Sequence, residues 1–62
     1  MIEAKADSVV MVNYNHRLWI VYGKEGPSTH RRKVYHSYKR ALEHANNLMH
    51  YYQVASLTEI DR

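Results

Sequence analysis

The chain has 62 residues, no cysteine, and nine Lys or Arg against six Asp or Glu, which gives a formal net charge of +3. A chain of this length forms one domain of marginal stability, and the lack of cysteine excludes disulfides and thiolate metal sites. No apolar run approaches the roughly 20 residues needed to cross a bilayer, and residues 1–6 lack the apolar core of a signal peptide. We therefore expect a protein of the cytoplasm with no membrane contact.

The first half of the chain predicts three short strands. In chain order, the predicted elements are a flexible N-terminus (residues 1–7), a strand (8–14), a reversal (13–16), a second strand (17–22), a loop (24–31) and a third strand (33–36). The strands are rich in β-branched and aromatic residues. The reversal contains two asparagines, which tolerate left-handed geometry, and the loop contains Gly26 and Pro27. Residues 8–62 are expected to form the single domain.

Alternation along the second strand allows two orientations of Trp19. In one, Leu18 and Ile20 face the core and Trp19 lies on the outer face of the sheet; in the other, the two faces are exchanged. Arg17 shares a face with Trp19 in this strand, and this polar residue favours the outward orientation. An outward Trp beside an Arg is typical of interface anchors and can stack on a nucleic-acid base.

The second half predicts one helix and one further strand. Ser37 is a typical N-cap residue, and the apolar residues after it recur at helical spacing: Tyr38, Ala41, Leu42, Ala45, Leu48, Met49 and Tyr52. Past Gln53, the residues 54–60 predict a fourth strand. The expected fold class is α+β, with an antiparallel three-stranded meander packed on one helix and a fourth C-terminal strand.

Positive charge is concentrated in the middle of the chain. Residues 24–40 hold six cations against Glu25, a local net charge of +5, whereas the remaining residues sum to −2. Lys39 and Arg40 fall in the first turn of the helix, where the helix dipole favours acids. Such a conflict is typical of functional sites and predicts an anion-binding spot near residues 31–33. The alternative is that these cations only keep an exposed helix start soluble.

No pattern of catalytic or metal-binding residues stands out. The two glycines do not form a phosphate-binding loop, the carboxylates are scattered, and Ser37 next to His36 is better explained as a helix cap. The five histidines lack the spacing of metal ligands on one helix face. We therefore expect a protein that is not an enzyme and binds no cofactor or metal.

The order of the elements resembles two groups of small binding proteins. The stretch of about residues 13–51 is similar to the three-stranded DNA-binding domains of plant ethylene-response proteins and to the arm-binding domains of tyrosine integrases. That resemblance implies that the sheet meets DNA through Arg17, Trp19 and residues 31–33.

From Arg17 to the end, the chain also resembles the small phage-encoded inhibitors of bacterial RNA polymerase. The resemblance rests on Leu18-Trp19, Tyr35, the Ala41-Leu42-Glu43-His44-Ala45 helix and the final strand. Glu59 and Asp61 stand where those inhibitors have arginines.

These observations predict a small basic nucleic-acid-binding module that is not an enzyme. The alternative is a phage-type inhibitor or adaptor that binds an acidic surface of a host protein, and a homodimer formed through the edge strands is a third possibility. The expected contacts to the nucleic acid or protein partner are Arg17, Trp19, Lys24, Arg31, Arg32, Lys33, Lys39 and Arg40.

Overall fold

The computed structural model describes residues 6–62, so residues 1–5 of the expected flexible N-terminus lie outside the described part. Its elements are β1 (Ser8–Tyr14), β2 (Leu18–Glu25), β3 (Ser28–Tyr35), α1 (Tyr38–Tyr52) and β4 (Leu57–Asp61). They form one four-stranded sheet of order β3-β2-β1-β4 with the helix on one side. The pairs β1–β2 and β2–β3 are antiparallel, and β4 runs parallel to β1. The predicted α+β class, meander, helix and fourth strand are confirmed.

The reversal between β1 and β2 follows from the residues at the turn. Asn15 and His16 both have positive φ angles, 54° and 56°, and asparagine adopts this region more readily than most residues. The Asn13 side-chain oxygen accepts a hydrogen bond from the His16 amide at 2.8 Å, which closes the turn locally.

The predicted loop over residues 24–31 is wrong, because β2 and β3 are joined by Gly26 and Pro27 alone. Gly26 has φ +55° and proline holds φ near −65°, a combination that suits a two-residue hairpin turn. Asp7 fastens this turn: its amide donates to the Lys24 carbonyl at 2.7 Å, and its side chain accepts from the Gly26 amide at 3.1 Å. The third strand therefore begins at Ser28, and more of the basic stretch belongs to the sheet.

A β-bulge interrupts the pairing of β2 with β3. Val21 is paired with Lys33 and Gly23 with His30, so Tyr22 lies opposite two residues, Arg31 and Arg32. Arg31 has φ +55°, the left-handed geometry that a bulge of this kind requires at its first position. The bulge shifts the alternation of β3 by one residue.

The helix has the predicted N-cap and the predicted buried face. The Ser37 hydroxyl accepts from the Arg40 amide at 3.5 Å, and Gln53 ends the helix in a left-handed conformation with φ 57°. Four residues of the apolar stripe are buried: Ala41, Ala45, Leu48 and Tyr52. Among the described residues, the helix falls short of the length and apolar character that a membrane-spanning helix needs.

The core lies between the helix and the sheet, and Trp19 belongs to it. Trp19 is only 8% exposed and packs with Val9, Met11 and Val21 under the helix. The favoured outward orientation of Trp19 is therefore wrong. The prediction counted Arg17 as a strand residue on the same face as Trp19. Arg17 instead lies in the turn before β2, so its polarity gives no information about either face of the strand. The side chains of Leu18 and Ile20 point away from the helix.

Candidate functional site

One face of the sheet is left without a covering layer by residues 6–62. We call it the open face; it comprises the residues of the four strands that point away from the helix. From β1 and β2 these are Ser8, Val10, Val12, Tyr14, Leu18, Ile20, Tyr22 and Lys24, and from β3 and β4 they are Thr29, Arg32, Val34, Thr58 and Ile60. The apolar residues around its centre, such as Ile20, Val34 and Ile60, are partly or largely exposed.

The open face carries several aliphatic side chains next to one another. Val10 and Val12 are screened by their neighbours, whereas Ile20 and Ile60 are half-buried and Val34 is 49% exposed. Contiguous apolar surface on a small protein commonly marks an interaction site. The open face is thus a candidate binding surface on its composition alone.

Three cations surround the apolar centre of the open face. Lys24 is paired with Thr29 at one end, Arg32 follows the bulge on β3, and Arg62 lies beyond β4. Among the described residues, the open face carries no Asp or Glu, because Glu25, Glu59 and Asp61 all lie on the helix side. Cations without neighbouring acids give this face a positive potential.

Two tyrosines and two arginines line a shallow cavity of about 220 Å³ on the open face. Its aliphatic lining comes from Val12, Ile20 and Ile60, and the rest of its lining is Tyr14, Tyr22, Thr29, Arg32 and Arg62. Tyr14 is exposed and Tyr22 half-buried. Aromatic rings between cations can take a planar base and its phosphate together.

The bulge at Arg31 divides the predicted basic patch between the two sides of the sheet. Arg32 and Lys24 lie on the open face. Lys33 is paired with Val21, whose side chain is under the helix, so Lys33 points to the helix side. Arg31, which contacts Tyr51 of the helix, is on the same side, and Lys39 and Arg40 lie in the first helical turn. We call these helix-side cations the basic rim: Arg31, Lys33, Lys39 and Arg40.

The other two predicted contact residues belong to neither the open face nor the basic rim. Arg17 is exposed in the turn before β2, and its carbonyl oxygen is 3.3 Å from His36 Nδ1. Trp19 is buried in the core, where its ring meets Tyr38 edge to face with 6.1 Å between centroids. It cannot stack on a base without unfolding the core, so it is withdrawn from the candidate site.

Arg31 already has an intramolecular partner. Its guanidinium lies 4.4 Å from the centroid of the Tyr51 ring and donates to the Tyr51 hydroxyl at 3.2 Å. His44 Nε2 is 3.4 Å from the Arg31 carbonyl oxygen. These contacts tie the bulge of β3 to the helix. Arg31 thus has a structural role, which reduces its availability for a phosphate.

The cations of β3 can also be explained by the position of this strand at the edge of the sheet. This strand is at the edge of the sheet, and edge strands commonly use charged side chains and bulges to prevent pairing with another chain. That explanation accounts for Arg31 and Lys33. It does not account for Tyr22 and Lys24, which belong to the inner strand β2 and share the open face with Arg32.

Sequence reasoning missed Tyr14, Tyr22 and Arg62 as site residues. Each of the three is a single residue in a strand or at the end of one. Which face of the sheet it occupies depends on the side on which the helix packs, and the sequence does not specify that side. Within residues 6–62, no three His, Asp or Glu side chains are grouped closely enough to ligate a metal. No protein-family model, curated protein or solved structure shows a significant match to the chain.

Proposed function

We propose that the protein binds nucleic acid without catalysing a reaction, and that the open face is its contact surface. The observation that supports this proposal is the combination of Lys24, Arg32 and Arg62 with two tyrosines on a face where residues 6–62 place no acid. Cations supply attraction to phosphates that does not depend on sequence. The tyrosine rings supply stacking surfaces for unpaired bases.

The geometry favours a single strand over a duplex. Bases can stack on Tyr14 and Tyr22 only if they are not already stacked within a double helix. The open face is a sheet surface with a shallow cavity of about 220 Å³. A single strand can lie across such a surface with its bases on the tyrosines and its phosphates near the cations.

The test is a titration of a fluorescein-labelled 20-nucleotide oligothymidylate, followed by anisotropy at several salt concentrations. Three phosphate contacts predict that log K falls with log salt with a slope of about −2 for a single strand. A duplex of the same length should bind more weakly at each salt concentration. Absence of binding at low salt contradicts the proposal.

Two double variants that remove the same charge identify the surface. Lys24→Gln/Arg32→Gln removes two cations from the open face, and Lys39→Gln/Arg40→Gln removes two from the basic rim. We expect the first pair to weaken binding and lower the salt slope by about 1.4, and the second pair to have little effect. The reverse result would move the site to the basic rim, and equal effects would mean attraction to net charge alone.

A second candidate function, binding to an acidic surface of another protein, is supported by the apolar centre of the open face. It agrees with the resemblance to the phage-encoded polymerase inhibitors. Val34 separates the two candidates because it is 49% exposed on this face. Val34→Lys adds a cation and should strengthen oligonucleotide binding, whereas it should weaken docking on an apolar protein surface.

A further inference from the structure

A second pocket lies on the helix side of the sheet, at the edge opposite the basic strand. The helix packs mainly on β1, β2 and β3, so the helix-side surface of β4 borders a pocket of about 310 Å³. This pocket, which we call the β4 pocket, lies on the other side of the sheet from the open face. Its lining includes two acids and two aromatic rings, whereas the cavity on the open face is lined by two arginines.

Aromatic side chains form one wall of the β4 pocket. Trp19 and Tyr38 meet there edge to face, and Met11 lies beside them. Tyr38 is exposed, so part of this aromatic wall is open to solvent. The faces of Trp and Tyr rings attract cations, guanidinium groups in particular.

Two carboxylates form the opposite wall of the β4 pocket. Glu59 and Asp61 alternate along β4 and are paired with Met11 and Asn13 of β1, so both point to the helix side. Of residues 6–62, no Lys or Arg lines the pocket. Carboxylates facing an aromatic wall are suited to an organic cation, and within residues 6–62 no three His, Asp or Glu side chains are grouped to hold a metal ion.

A buried amide fixes the position of Asp61. Asn13 is only 8% exposed, and its side-chain nitrogen donates to Asp61 Oδ1 at 3.1 Å. The same nitrogen is 3.2 Å from His16 Nδ1, and the Asn13 oxygen accepts from the His16 amide. Asn13 therefore holds Asp61 through one carboxylate oxygen. A carboxylate can accept several hydrogen bonds, so Asp61 can still accept one from a ligand.

The backbone beside this pocket is the edge of the sheet. β4 pairs with β1 on one side only, and within residues 6–62 no strand pairs with its outer side. An extended peptide can add to such an edge through its main chain, and every second side chain then points to one face. On the helix side, those side chains would lie next to Glu59 and Asp61.

We propose that the outer edge of β4 binds an extended peptide segment and that the β4 pocket takes an arginine or lysine side chain of this segment. Main-chain pairing supplies the alignment, and the carboxylates and aromatic wall select the cation. This proposal does not depend on the nucleic-acid proposal, because it uses the backbone edge of β4 and the helix side of the sheet instead of the open face. The rival explanation is that Glu59 and Asp61 only protect a short edge strand from pairing.

The test uses three acetylated and amidated pentapeptides of alternating threonine and valine around a central residue. The first has arginine at the centre, and the second has citrulline, which has nearly the same shape without the charge. The third has arginine and N-methyl groups on alternate amides, which prevents pairing with a strand. Binding is followed by chemical-shift changes of the Trp19 indole N–H and the amides of residues 57–61.

We expect saturable shifts with the arginine peptide, at least about tenfold weaker binding of the citrulline peptide, and loss of binding on N-methylation. Glu59→Gln should weaken binding by about tenfold, whereas Glu43→Gln, which removes an acid from the helix surface, should not. The amide spectrum of each variant reports whether it is folded. Equal binding of the arginine and citrulline peptides, equal effects of the two variants, or no binding at all would overturn the proposal.

Discussion

The ring of Tyr52 lies directly over the α-carbon of Gly23, so close that a Cβ at Gly23 would be 2.6 Å from Tyr52 Cε2. Gly23 is buried in β2, and Tyr52 ends the buried stripe of the helix. A strand normally gains from a Gly→Ala change, because glycine has the larger entropy to lose. Here the absence of a side chain sets the distance between helix and sheet.

Gly23→Ala should therefore lower the free energy of unfolding by about 1–3 kcal/mol, the usual cost of overpacking a core. Urea denaturation followed by circular dichroism measures it. In the Tyr52→Leu background the same alanine should cost less, because the ring that it meets has been removed. An equal cost in both backgrounds would mean that the clash with Tyr52 is not the cause.

The helix should become more stable when Gln53 is replaced by glycine. Gln53 has φ 57° at the C-cap, and a residue with a Cβ pays about 1–2 kcal/mol for this left-handed conformation. We expect Gln53→Gly to raise the free energy of unfolding by about 1 kcal/mol. Gln53→Ala keeps the Cβ and should give no such gain, and thermal melts of the two variants make the comparison.

Trp19 should be buried in the core and should not contact the nucleic acid. Because its indole is buried in the core, the emission of the folded protein should lie at shorter wavelength than in urea, with little quenching by acrylamide. Saturation with oligonucleotide should leave this emission almost unchanged. Strong quenching by the oligonucleotide would place Trp19 at the nucleic acid and contradict the orientation of β2.

Tyr22 should contribute to nucleic-acid binding through its ring. Tyr22→Leu keeps an apolar side chain on the open face but removes the stacking surface, so we expect a loss of about 1–3 kcal/mol in affinity for oligothymidylate. Tyr38→Leu removes a ring from the helix side of the sheet and should have little effect. The two variants are compared by anisotropy at the same salt concentration.

Arg31 and Tyr51 should be coupled in stability. A double-mutant cycle of Arg31→Gln and Tyr51→Leu should give an interaction free energy of about 0.5–1 kcal/mol, as expected of a cation over an exposed ring. The Tyr51→Phe variant should keep most of it, because the ring remains. Additive effects of the two changes would show that the contact, 4.4 Å from the guanidinium carbon to the ring centroid, does not stabilise the fold.

Much of the fold is readable from the sequence, because it rests on local signals. The run of β-branched residues in β1, the cap at Ser37 and the helical spacing up to Tyr52 each specify their own element. The beginning of β3 was not readable in the same way. Gly26 and Pro27 suit both a long loop and a two-residue hairpin, and the contacts of Asp7 with the hairpin come from a distant part of the sequence.

The candidate site was harder to predict, because it depends on which face of the sheet the helix covers. Alternation gives the two faces of β2 but not their orientation, and the predicted role of Trp19 followed from the wrong one. The split of Arg31 from Arg32 depends on a bulge stabilised by Tyr51 of the helix. The sequence of β3 alone does not predict that bulge.

The parallel pairing of β4 with β1 has a consequence for synthesis on the ribosome. Asn13 and Asp61 are 48 residues apart in the chain, so the last strand to emerge completes its pairing with the first. Until then, the hairpins and the helix can form from local contacts while the outer edge of β1 stays unpaired. A nascent chain stalled before Leu57 should expose that edge to chaperones, and emergence of residues 57–61 should end the exposure.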